Sequence, residues 1–128
     1  MRLFISLGIL LLVTIACTSE PQTNQGSPEE AAKGFFAALK AEDFEQAKLY
    51  GTKSTQTSLQ DFATNLKMIN AEEKEELTAP YKMEVSKVTC AEKNGTTTCK
   101  LCCSPEFDVE LIMVQQDTKW FAQMNFVY

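Results

Sequence analysis

Pro80 separates two stretches with different hydrophobic periods, and that change constrains the fold more than any other feature. Before it, apolar residues recur at helical spacing. After it, they alternate. Helices followed by antiparallel strands imply an α+β domain, with N-terminal helices packed on one face of a curved four-stranded antiparallel sheet. The chain has 128 residues, enough for one domain with a core of ordinary size.

The helical half opens at "SPEEAAKGFFAALKAEDF". Ser27 is a cap, Pro28 suits the first helical position, and Glu30 completes a capping box. Ala32, Phe35, Phe36 and Leu39 form one apolar face. Gly34 costs helix propensity and lets something pack closely. A second short helix follows, capped by Asp43, with Phe44, Ala47 and Tyr50 facing inward and Gly51 ending it. A third begins near Thr57 or Ser58, carries the stripe Leu59, Phe62, Ala63, Leu66 and Ile69, and runs on into "NAEEKEEL". The acidic run there reads as a solvated face rather than a cation site.

In the alternating half, "YKMEVSKVTC", "CKLCC", "EFDVELIMVQQ" and "KWFAQMNFVY" read as four strands. Asp117-Thr118 as a two-residue turn sets Met113 opposite Ala122, Leu111 opposite Met124 and Val109 opposite Phe126, so the apolar faces coincide. Ile112, Val114, Phe121 and Val127 fall on the other face. Which of the two faces the helices cover is open at this level.

Asn94-Gly95 is a strong hairpin signal. A type I′ turn there sets Cys90 opposite Cys99 in a non-hydrogen-bonded pair, with Cα atoms about 4.5 Å apart. That separation is within disulfide reach, so a Cys90–Cys99 bridge is expected. Cys102 and Cys103 remain. A bond between these neighbours needs local distortion, since adjacent strand residues point to opposite faces. Two thiols, or the pairs Cys90 with Cys103 and Cys99 with Cys102, are the alternatives. A zinc site on Cys90, Cys99 and Cys102 is disfavoured, because such knuckles form in tight turns. A thioredoxin-like role is disfavoured too, because Cys99 and Cys102 do not sit at a helix N-terminus.

The N-terminus reads as an address. Arg2 precedes "LFISLGILLLVTIA", an apolar run of signal-peptide length and shorter than the roughly 20 residues a spanning helix needs. Ala16 before Cys17 resembles the lipobox of bacterial lipoproteins, with Thr14 departing from the usual aliphatic residue. The resemblance implies removal of residues 1–16 and acyl chains, palmitate among them, on Cys17. Each buried lipid CH₂ contributes about 0.8 kcal/mol to anchoring. Residues 17–27 then hold the lipidated cysteine and a flexible tether, and residues 28–128 form the domain. The expected location is the cell envelope, lipid-anchored to a membrane outside the cytoplasm. That compartment permits disulfides.

Composition narrows the chemistry. The chain carries a net charge of -5 and no histidine. Nucleic-acid binding is disfavoured, since it relies on Lys and Arg neutralising phosphates. Ser-His-Asp and Cys-His catalysis are excluded, as are zinc sites with histidine ligands. No cofactor and no resident metal is implied.

The pattern of Pro28, Glu29, Ala31 or Ala32, Phe35 or Phe36, Ala38, Leu39, Asp43, Phe44, Glu45 and Ala47, with Asp117 to Trp120 near the end, resembles small bacterial lipoproteins. Those proteins carry a nuclear-transport-factor-2-like (cystatin-like) domain of unknown function. The resemblance covers residues 28–128, and the "CKLCC" segment departs from it. It implies a cone-shaped domain with a curved sheet around a long helix. Fold alone does not settle function in such domains. The expected role is a membrane-tethered, non-catalytic module that binds a small ligand or protein partner. One alternative is an isomerase- or cyclase-like enzyme using Asp108 or Glu110 with Tyr81, Tyr128 or Tyr50. The other is a homodimeric structural protein. Asp108 and Glu110 alternate with the apolar row, which points them away from the core and against catalysis.

Overall fold

The computed structural model describes residues 23–104 and 107–128, apart from the side chains of residues 103, 104, 107 and 108. The expectations for residues 1–16 and for Cys17 lie outside the described residues.

Four helices precede a four-stranded antiparallel sheet of order β1-β2-β3-β4. Helix α1 spans Pro28–Lys40, and Ser27 Oγ accepts from the Glu30 amide. Its apolar face is the expected one: Ala32, Phe35, Phe36 and Leu39 are all buried. It ends in a Schellman motif, in which the Glu42 amide donates to Leu39 O and the Asp43 amide to Ala38 O. Glu42 takes the left-handed conformation (φ 54°) that this motif requires.

Helix α2 (Phe44–Tyr50) is capped by Asp43, and its Tyr50 ring lies directly over Gly34 of α1. A Cβ on Gly34 would stand 2.4 Å from that ring. The glycine therefore sets how closely the two helices approach.

Helix α3 runs Lys53–Leu66, starting earlier than the spacing predicts because Thr52 serves as the cap. It does not continue into the acidic run. Asn70 and Glu73 form a reciprocal capping box that restarts the chain as α4, Ala71–Thr78. The four glutamates of α4 are exposed, as a solvated face should be.

Strand β1 spans Lys87–Lys93 rather than starting at Tyr81. Residues Ala79–Tyr81 form a short 3₁₀ turn instead. Tyr81 joins a cluster of rings, 5.8 Å from Phe62 and 5.4 Å from Phe126 between centroids. Burial of that ring outweighs the alternating pattern of its neighbours.

Strand β2 (Thr96–Ser104) pairs with β1 in the register set by the Asn94-Gly95 turn. Both turn residues have positive φ, 54° and 76°. Cys90 faces Cys99, and the two are disulfide-bonded with Cα atoms 4.0 Å apart. Cys102 is disulfide-bonded as well. The expectation for Cys103 lies outside the described side chains. Between Leu101 and Ser104 the pairing with β3 (Phe107–Gln116) shifts at a bulge, which accounts for the irregular "CKLCC" segment.

Strand β4 (Lys119–Gln123) pairs Met113 with Ala122, as the turn at Asp117 requires. It stops at Gln123, so the expected pairs of Leu111 with Met124 and Val109 with Phe126 do not form. The C-terminal stretch instead turns onto α3. The Met124 amide donates to Thr55 Oγ1 at 2.9 Å, and the Phe126 amide donates to Ser58 Oγ at 2.8 Å. Helix hydroxyls replace a strand partner, and Phe126 is thereby buried among Phe35, Phe62 and Tyr81.

Helix α1 lies against the face carrying Cys99, Leu101, Leu111, Met113 and Ala122, all buried. The opposite face presents Ile112, 43% exposed, with Val114 and Phe121 half-buried beside it. That resolves which face the helices cover.

Candidate functional site

The sheet is longer than the helix that covers it. At the hairpin end, beside the first turn of α1, the inner-face positions Glu92 and Gln115 are exposed. The register aligns Glu92 of β1 with Thr97 of β2, Thr97 with Met113 of β3, and Gln115 of β3 with Trp120 of β4. These positions bound a cleft of about 620 Å³ that curls over the end of the sheet to Ile112 and Gln123. A recess of about 210 Å³ adjoins it, walled by Pro28 and Glu29 at the start of α1 and by Cys90. Glu92, Thr97 and Trp120 line both hollows.

Trp120 is the organising residue. Its ring is half-buried and packs against the edge of the core. Its main chain is clamped by Gln25. The Trp120 amide donates to Gln25 O at 3.0 Å, and Gln25 Nε2 donates to Trp120 O at 2.9 Å. Gln25 is itself only 4% exposed and also donates to Leu49 O at 3.3 Å. The segment read as a tether thus includes a residue fixed to the sheet edge.

The residues proposed for catalysis are not brought together. Glu110 stands opposite Lys100, on the exposed face of the sheet. Tyr81 lies on the other side, among the rings beneath α1, where burial pushes its hydroxyl above the ordinary 10.0. Tyr50 is buried over Gly34, and Tyr128 is largely exposed. The side chain of Asp108 lies outside the described residues. The buried polar side chains are Gln25, Thr52, Thr55 and Thr78, so no described carboxylate is buried.

Among the described residues no group of three or more Cys, Asp or Glu is arranged to hold a metal ion, and no helix is long and apolar enough to cross a membrane. A second groove of about 400 Å³ lies between α1 and residues 83–85. Its floor is Phe36, Met83 and Val85, with Lys33 and Lys40 at the rim, and the Lys40 ammonium is engaged by Glu84 at 2.6 Å.

The cleft around Trp120 was not singled out by sequence reasoning. A signal existed: alternation from Met113 through the Asp117 turn puts Gln115 and Trp120 on the core face, where only the first turn of α1, at Pro28 and Glu29, comes near Trp120. Comparisons with protein families, with characterised proteins and with solved structures give no match.

Proposed function

We propose that the chain is a lipid-anchored, non-catalytic protein of the cell envelope whose domain, of the nuclear-transport-factor-2-like class, binds its ligand in the cleft around Trp120. The observation that carries this reading is the Gln25 clamp. It fastens the chain to the back of Trp120, only eight positions after Cys17. Eight extended residues reach about 29 Å at most. Acyl chains on Cys17 therefore hold the cleft close to the bilayer surface, so that the anchor and the site act as one device. The separation of the exposed Glu110 from the buried Tyr50 and the half-buried Tyr81 supports a binding role over acid–base chemistry, which needs a carboxyl in an apolar cavity.

Intact mass spectrometry of the native protein, together with detergent phase partition, tests the anchor. The expected species lacks residues 1–16, carries acyl chains on Cys17, and enters the detergent phase, whereas Cys17→Ala stays in the aqueous phase. An unmodified cysteine in a protein that partitions to water would sink the anchored reading.

A further inference from the structure

We propose that the Trp120 cleft binds a neutral saccharide. The inference rests on the binding reading above and names the ligand class that the lining fits. Thr96, Thr97, Gln115 and Gln123 supply uncharged hydroxyl and amide groups, each able to donate and to accept. Sugar hydroxyls do the same, so this set matches them group for group. Among the described residues Glu92 is the single charged one lining the cleft, with Glu29 in the adjoining recess. Among the described residues no lysine or arginine lines the cleft, which argues against a phosphate or carboxylate ligand. Glu92 and Glu29 do not belong to any group of three or more possible ligands among the described residues, which disfavours a bound cation.

The indole of Trp120 provides the other half of the match. A sugar ring has an apolar face of C–H groups, and a flat aromatic surface with few rotatable bonds packs against it at little entropic cost. The Gln25 clamp on both the amide and the carbonyl fixes the main chain that carries the indole, and the ring packs against the edge of the core. Met113 adds apolar surface on the Trp120 side of the cleft, and Ile112 and Val114 add it where the cleft curls onto the other face of the sheet. The volume, about 620 Å³, lies within the range of small-molecule sites, roughly 300–1,000 Å³. A peptide adding to the sheet is a poorer fit. The free edge of β4 is already occupied by Gln25 at Trp120 and by the Thr52 amide at Ala122 O.

Trp120 is the only tryptophan in the chain, so intrinsic emission reports this cleft alone. The full chain in zwitterionic micelles is titrated with maltotriose, cellotriose and N,N′,N″-triacetylchitotriose, up to about 20 mM to cover millimolar dissociation constants. A saturable shift of the emission with at least one of them is expected. Thr97→Val and Gln115→Ala should each weaken it about fivefold, the loss of one hydrogen bond, with the far-UV circular dichroism unchanged. A response that survives the Thr97→Val/Gln115→Ala double variant intact overturns the proposal, as does a stronger response to a sulfated trisaccharide. Silence to all three sugars with a response to 1-naphthol overturns the saccharide and leaves a binding cleft. Silence to the sugars and to naphthol overturns both.

Discussion

At the scale of single residues, Gly34 shows how packing reverses a propensity argument. In an exposed helix interior, Gly→Ala gains about 1 kcal/mol. Here the new methyl would meet Cε1, Cζ and Oη of Tyr50 at 2.4–2.6 Å, and Tyr50 is 7% exposed with little room to retreat. Overpacking of this kind costs about 1–3 kcal/mol. Gly34→Ala should therefore lower the urea midpoint, and Tyr50→Leu in the same chain should recover part of the loss. A midpoint that rises in Gly34→Ala would show that α2 moves aside freely. The sequence marks Gly34 as a close-approach site but not what approaches, because Tyr50 comes from another helix and only the angle between α1 and α2 brings the two together.

Among elements, the C-terminal stretch departs most from its alternating pattern. "MNFVY" continues the β4 alternation, yet it leaves the sheet after Gln123. The Thr52 amide takes the Ala122 carbonyl, and Gly51 bridges to the same residue. The path beyond is then dictated by α3, whose Thr55 and Ser58 hydroxyls accept the Met124 and Phe126 amides. Local alternation carries no record of such long-range acceptors, so this part of the fold was illegible. The two hairpins, by contrast, could be read because Asn94-Gly95 and Asp117-Thr118 state their registers within a few residues. That register also set Cys90 opposite Cys99, which made their bridge the expected one. Hydrogen exchange monitored by NMR gives a specific check. In Thr55→Val the Met124 amide should lose protection while Phe126 keeps most of its own, and in Ser58→Ala the order reverses. Each lost acceptor should cost about 1–3 kcal/mol. Unchanged protection in both variants would mean that the hydroxyls are bystanders.

For the whole molecule, charge and burial together set a pH profile. Histidine is absent, so no side chain has an ordinary value between about 5 and 8, and stability should be flat across that range. On the acid side, the hydrogen bond from Lys40 holds the Glu84 carboxyl below its ordinary 4.5. That contribution is present above 4.5 and disappears as pH falls through the lower folded value. It is small, because both groups are exposed and solvent screens them. On the alkaline side, burial holds Tyr81 neutral above 10.0. The unfolded chain releases that proton first, so stability declines as pH rises past 10.0 toward the folded value. Lys82, held protonated by its hydrogen bond to Glu75 at 2.8 Å, loses its contribution in the same direction above 10.5. Tyr81→Phe keeps the ring against Phe62 and Phe126 and removes the ionisable hydroxyl. Its alkaline limb, followed by circular dichroism at fixed temperature, should start at higher pH than that of the parent chain, with the acid limb unmoved. Coincident alkaline limbs would mean that Tyr81 ionises as freely in the folded domain as in the unfolded chain, and the ring cluster beneath α1 would then be open to water.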